Sequence, residues 1–354
     1  MAAGFTLVGW NRFKRAYDGL LLAGLALFFA AHLGAGWLSA PAEQHPSEIQ
    51  MLIRASGAAA FSLLTIILCL GPLARLTPRA LPLLYNRRHM GVACFLIALV
   101  HGGLVVLWYH GFSEVNAFVS LLTSNPRYAS FGGFPFESLG VLALLILFVM
   151  AATSHDFWNS VLGPRLWKWI HMSVYAAYGL LVGHVMLGAV QGEKGLVQAA
   201  LVGISALIVT GLHVAAARQE SAREAAVAAA PEAGEGWLDA GLAFLIPDGR
   251  AVILVPPEGE RIAVFREGEK IYAVANACRH QGGPLGEGRI LDGCIVCPWH
   301  GYQYRPEDGC SPPPFTENVA TYRTRIIGGH VYVDPVPQPP GRARAPSVMG
   351  EAEA

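Results

Sequence analysis

Two cysteines and two histidines in the C-terminal third have the types and spacing of a metal site: Cys278-Arg-His280, sixteen intervening residues, then Cys297-Pro-Trp-His300. Thiolate and imidazole are the donors that hold iron–sulfur clusters and zinc. A cluster with two Cys on one iron and two His on the other needs each loop to supply one residue of each kind, as Cys-x-His and Cys-x-x-His do. Gly282-Gly283-Pro284 follows the first pair and Gly301 the second, which lets backbone N–H groups approach sulfur. The rival is a tetrahedral zinc site of Cys278, His280, Cys294 and Cys297, because Cys294 and Cys297 form a Cys-x-x-Cys pair.

The full string resembles the Rieske family over residues 237–335. That resemblance implies an all-β domain binding a [2Fe-2S] cluster through Cys278, His280, Cys297 and His300. Gly283 and Trp299 stand in the ligand loops, and Cys294 and Cys310 do not occupy the positions of the extra disulfide cysteines found in respiratory-complex members. The resemblance is therefore to the ferredoxin and oxygenase branch, with a potential toward the low end of the Rieske range. Cys294 and Cys310 read as small half-buried side chains in a reducing compartment.

The elements that carry this site are of two kinds. The 354 residues are 53% hydrophobic and 14% charged, with a mean hydropathy of +0.42, which excludes an ordinary pair of soluble domains. The apolarity lies before residue 218, in runs near 19–38, 55–74, 90–109, 138–153, 169–190 and 196–214. Each run approaches the ~20 residues that cross a bilayer core. The expected architecture is multidomain: an all-α bundle of six transmembrane helices over 1–217, a helical linker over 218–236, an all-β domain over 237–335 and a disordered Pro- and Gly-rich tail over 336–354. Residues 1–217 carry 12 Lys and Arg against 7 Asp and Glu, and the remainder 13 against 18, so a zero total divides into +5 and −5.

Loop charge sets the expected orientation. Arg12, Lys14, Arg15, Arg75, Arg79, Arg87, Arg88, Arg165 and Lys168 fall on one side, against Arg54, Arg127 and Lys194 on the other. By the positive-inside rule both termini are cytoplasmic in a multi-pass protein of the cell (inner) membrane.

Four histidines lie inside the apolar runs: His89 and His101 on the third, His171 and His184 on the fifth. Intramembrane histidines are costly and mark candidate functional sites. These two runs cross in the same direction, so His89 comes level with His171 and His101 with His184. The levels stand ~18 to 20 Å apart at ~1.5 Å per residue, suitable for two stacked b-type haems with two axial imidazoles each. Twelve residues turn a helix by about 1200°, a third of a turn out of alignment, so His155 and His213 are alternative partners for His171. A lone histidine in such a bundle can also simply hydrogen-bond a neighbouring helix. His32 and His110 read as interfacial, and Asp18 as a solvated helix end.

Arg87-Arg88-His89-Met90-Gly91 through His101, and Trp167-Lys168-Trp169-Ile170-His171 through His184, resemble the ferric reductase-like transmembrane family over about residues 50–217. That resemblance implies one or two b-type haems. No Gly-x-Gly-x-x-Gly follows a strand, and the C-terminal part is too short for flavin and nicotinamide domains, so hydride chemistry must be supplied by a separate reductase. No catalytic residue is assigned. The expected function is an oxidoreductase component. It takes electrons from a cytoplasmic reductase or ferredoxin and passes them through the cluster and haems to an external acceptor or quinone. The lipid bilayer is its surroundings and nucleic acid has no part. Two alternatives stand beside it: a quinol- or periplasm-fed conduit to a cytoplasmic oxygenase, and a membrane-anchored redox sensor.

Overall fold

The computed structural model describes residues 12–38, 47–84, 86–112, 114–123, 134–191, 195–228, 236–299, 301–313 and 315–350. The chain divides into two compact units, Met1–Gly71 with Asn86–His213, and Pro72–Tyr85 with Val214–Ala354.

The first unit is helical, with α1 (Arg12–Leu38), α2 (Glu48–Leu76), α3 (Arg87–Val105), α4 (Ala117–Thr123), α5 (Phe136–Ala152), α6 (Asp156–Met172), α7 (Val174–Gln191) and the start of α8 (Gly195–Ala228). Lys14–Leu38, Glu48–Leu76, Arg87–His110, Leu166–Gly188 and Gly195–Ala222 are long and apolar enough to cross a membrane, and α5 is a shorter apolar helix. All six expected runs are therefore helical. Ser47 opens α2 with a reciprocal cap: Gln50 N–H donates to Ser47 Oγ and Ser47 N–H to Gln50 Oε1, each at 3.3 Å. A π-helical turn, Val106–His110, extends α3. Its terminal His110 is buried and bonds Ser120 Oγ at 3.0 Å, so it is not the interfacial side chain expected.

α5 packs along α7 and against α3. Small residues allow the approach: a Cβ on Gly183 would stand 3.2 Å from Leu139 Cδ1, and one on Gly188 3.2 Å from Phe136. The segment expected as a loop before the fifth run is instead α6, ending at the turn of Ser173. Trp167 holds it from inside, nearly buried and donating Nε1–H to Thr153 O at 2.8 Å.

The second unit is built on antiparallel sheets. One has the order β1 (Leu238–Leu242), β10 (His330–Val333), β9 (Thr324–Ile327). A second joins β11 (Ser347–Val348), β4 (Lys270–Ala275), β3 (Ile262–Glu267) and β2 (Ala251–Leu254), with β8 (Thr321–Tyr322) also on β4. The third is β5 (Arg289–Leu291), β6 (Cys294–Val296) and β7 (Gln303–Tyr304). The Ile-Ala-Val-Phe and Ile-Tyr-Ala-Val-Ala runs of β3 and β4 are buried almost throughout, because both of their faces are covered. With Leu285, Ile295 and Tyr304 they form the core, each large apolar side chain contributing about 1.5–3 kcal/mol by burial.

The expectation of a disordered tail over 336–354 is corrected as far as Gly350. Gln338 N–H donates to Thr321 O, Gly341 N–H to Asp308 O, Arg344 N–H to Glu307 O and Met349 N–H to Glu269 O, each at 2.8 or 2.9 Å. β11 pairs Ser347 with Ile271 and Val348 with Lys270. β8 covers only Ala273 and Val274 of that edge, and the tail satisfies the edge groups β8 leaves. Composition misread the segment because its stability comes from that non-local edge. Residues 351–354 lie outside the described residues. α8 runs past Arg218 to Ala228, whereas Pro231 and Gly234, expected to end it, also lie outside them.

Candidate redox centres

Two loops of the second unit carry the Cys and His residues, one after β4 and one between β6 and β7. They share one backbone frame. Cys278 N–H donates to Gly283 O at 2.8 Å and Gly282 N–H to Cys278 O at 2.7 Å; Cys297 N–H donates to Tyr302 O at 2.7 Å and Gly301 N–H to Cys297 O at 2.9 Å. Gly282 and Gly301 both have φ of +71°, the left-handed conformation that turns each loop back and that glycine adopts without strain. Cys278 and Cys297 are buried, and a Cβ on Gly283 would stand 2.7 Å from Cys297 Sγ and 3.1 Å from the Trp299 ring. Only glycine leaves that sulfur its place.

The Cys278 thiol is held down to about 6 by its hydrogen bond with Cys297, then by the Tyr304 hydroxyl and the His280 amide, against the opposing effect of burial. Tyr304 Oη lies 3.3 Å from Cys278 Sγ and accepts Arg279 N–H at 3.0 Å. Burial, then the Cys278 charge, pushes the Tyr304 phenol up, so it stays protonated and donates to sulfur. The His280 ring stacks on Tyr302 at 4.8 Å and 10°, and the Tyr302 hydroxyl donates to the Glu317 carboxylate. His300 lies outside the described residues. Among the described residues no three His, Cys, Asp or Glu converge as for one metal ion, which disfavours the zinc set; burial also pushes the Cys294 thiol up. A two-iron cluster spreads its ligands over two metals and needs no such convergence. Low-lying thiol, stacked imidazole and the Gly283 cradle fit a [2Fe-2S] cluster.

In the first unit, His101 and His184 line one cavity of about 1250 Å³ with Gly57, Gly140, Phe136 and Glu137. Each ring is fixed through Nδ1 by a backbone carbonyl on another helix, His101 to Ile53 O at 2.9 Å and His184 to Phe136 O at 2.8 Å. Donation from Nδ1 leaves Nε2 as the ligating nitrogen. A Cβ on Gly57 would stand 2.9 Å from His101 Cε1, and one on Gly140 3.0 Å from His184 Cε1. Apolar lining, two oriented imidazoles and glycines where the rings lie fit a bis-histidine haem.

His171 and His89 do not line that cavity. His171 bonds Trp167 O through Nδ1 at 3.0 Å and stacks on the Trp167 ring at 3.7 Å. Its Nε2 is buried without a hydrogen bond of good geometry among the described residues, although the Met150 carbonyl also acts on the ring. His89 Nδ1 meets Asp18 Oδ2 at 2.8 Å, so Asp18 is not the solvated helix end expected. His213 has both nitrogens engaged, Nδ1 with Val209 O at 2.8 Å and Nε2 with Tyr175 Oη at 3.0 Å, which disfavours it as an alternative ligand. Sequence reasoning missed Gly57, Gly140 and Tyr304 and misread Asp18. A glycine level with an apolar-run histidine is the one signal that could have found the first two.

Residues 247–323 match the Rieske [2Fe-2S] domain and residues 56–182 the ferric reductase like transmembrane component. The chain is 40% identical over 107 residues to cholesterol 7-desaturase of Xenopus laevis, 28% of this chain but only 23% of that protein. It is 33% identical over 104 residues to the ferredoxin component of the naphthalene 1,2-dioxygenase system of Pseudomonas aeruginosa, 28% of this chain and 96% of that protein. It is 29% identical over 180 residues to the heme-binding subunit MsrQ of protein-methionine-sulfoxide reductase of Bordetella pertussis, 51% of this chain and 81% of that protein. The apolar helices and these two matches together describe a multi-pass membrane protein of electron transfer. Through its C-terminal domain the chain belongs to the Rieske [2Fe-2S] family, and residues 56–182 ahead of that domain are similar to the ferric reductase like transmembrane component.

Proposed function

We propose that the chain relays electrons between a cytoplasmic Rieske cluster and b-type haem in the inner membrane, from a soluble reductase or ferredoxin to an external acceptor. The observation that carries this reading is the pair His101 and His184, each with Nδ1 committed to a carbonyl from another helix and both facing one apolar cavity. When bound, cluster and haem supply one-electron carriers. The protein's part is to hold them. Cys278, His280, Cys297 and His300 take the cluster. His101 with His184, and His171 with His89, take haem. Two histidines on each iron leave no open position, which suits electron transfer and not oxygen chemistry. The loop charge supports a cytoplasmic position for both termini, with nine Lys and Arg on that side against three on the other.

Rapid mixing tests the reading. Protein whose cluster is reduced by a soluble reductase should pass electrons to haem within seconds, followed by the haem absorbance. Haem that stays oxidised while the cluster is reduced overturns it. The opposite direction, from a quinol or an external donor toward a cytoplasmic oxygenase, draws on the likeness of the C-terminal domain to the ferredoxin component of a dioxygenase system. A cluster midpoint potential above both haems favours that direction and a cluster below them the outward one.

A further inference from the structure

The four membrane histidines differ in what holds Nδ1. For His101, His171 and His184 the acceptor is a backbone carbonyl. For His89 it is a carboxylate: Asp18 presents Oδ2 at 2.8 Å and Oδ1 at 3.0 Å. The pair is largely shielded, with side-chain exposures of 25% for His89 and 21% for Asp18. Asn86, 3% exposed, touches both members, its Nδ2–H donating to Asp18 Oδ1 at 2.6 Å and lying 2.9 Å from His89 Nδ1. A second tie joins the same turns of α1 and α3, from the Tyr17 hydroxyl to Met90 Sδ at 2.8 Å. α1 lies outside the residues that match the ferric reductase like component, so this carboxylate is brought by a helix that the match does not cover.

We infer that Asp18 is a positioning residue for His89 as a haem ligand and that its charge gives the haem held there the lower of two midpoint potentials. The inference rests on the reading of His89 as a ligand. A carboxylate that accepts Nδ1–H fixes the tautomer with Nε2 free and increases electron donation by the ring. Ferric haem carries one more positive charge than ferrous, so the negative partner favours the oxidised form. A carbonyl dipole, as at His101 and His184, does so less. Transfer from the His89 level to the His101 level is then downhill.

The test is redox titration of the purified, haem-loaded full chain. Wild-type protein should hold two haems with separate potentials; a single haem overturns the inference. Asp18→Asn keeps size and a hydrogen-bond acceptor but removes the charge. It should retain both haems and raise only the lower potential, by about 59 mV or more, a tenfold change in a one-electron equilibrium. Both haems present with the lower potential unmoved overturns the role of Asp18. Asp18→Glu, which keeps the charge, should restore the wild-type value, and a shift as large as that of Asp18→Asn overturns the electrostatic argument. Should Asp18→Asn fail to accumulate, Asp18→Gln against Asp18→Glu gives the same contrast. His89→Ala separates the two ideas: loss of one haem is expected, and retention of both with unchanged spectra overturns the ligand reading itself.

Discussion

Replacing Gly57 with alanine places a methyl carbon 2.9 Å from His101 Cε1 and 3.0 Å from its Nδ1. Carbon atoms in ordinary contact stand about 3.5–4.0 Å apart, so the ring must retreat by roughly 0.6–1 Å. It cannot do so freely, because Nδ1 is bonded to Ile53 O at 2.9 Å, one turn before Gly57 on α2. Losing that bond costs about 1 kcal/mol, and overpacking the site adds about 1–3 kcal/mol. The sum, about 2–4 kcal/mol, corresponds to roughly a 30- to 700-fold weaker hold on haem at this position. The assay is haem content per protein and the reduced-haem spectrum of the purified variant, with cluster content as an internal reference that should not change. Gly71→Ala on the same helix is the control, because an added Cβ there meets nothing within 4 Å. Gly57→Ala with wild-type haem content and potentials would refute the argument that this glycine exists to seat the imidazole.

Tyr304→Phe removes the hydroxyl 3.3 Å from Cys278 Sγ. A hydrogen bond to a charged acceptor is worth about 1.5–3 kcal/mol, and if half of that differs between redox states the cluster midpoint falls by roughly 30–60 mV; a rise or no change counts against it. Gly283→Ala sets a carbon 2.7 Å from Cys297 Sγ and should abolish the cluster's visible and EPR signals while haem content stays, whereas an intact cluster refutes the cradle. Deleting residues from 336 onward removes four backbone hydrogen bonds onto Thr321, Asp308, Glu307 and Glu269. The cluster domain should lose about 2–4 kcal/mol, seen as earlier thermal bleaching of the cluster, and an unchanged midpoint would mean the tail only decorates the edge.

What could be read from the sequence divides by distance along the chain. The Cys and His loops were legible as a candidate site because their candidate ligands, glycines and spacing are local. The membrane histidines were legible as candidates, since a polar ring in an apolar run stands out. Their orientation was not, because the carbonyls that set it, Ile53 O and Phe136 O, each lie 48 residues from the histidine they hold. Asp18 was misread for the same reason: its partner His89 is 71 residues away. The tail shows the limit of composition. A Pro- and Gly-rich stretch has little reason to fold alone, and it is the open edge of β4 that orders it. α6 was missed because the segment lacks a long apolar run, and the carbonyl that Trp167 bonds to secure it, Thr153 O, lies 14 residues away.

The shortness of α5 has a physical consequence for the surrounding lipid. Its 17 residues span only about 26 Å at ~1.5 Å per residue, against a hydrocarbon core of ~30 Å. Its first residue, Phe136, supplies the carbonyl that holds His184, so the helix begins level with that ring, while α7 runs on to Gln191, about 10 Å further. α5 alone is thus hydrophobically mismatched to an average bilayer by several Å, at fractions of a kcal/mol per Å. Thinner membranes should suit the protein better, and any thinning at α5 shortens the path from the His184 level to water.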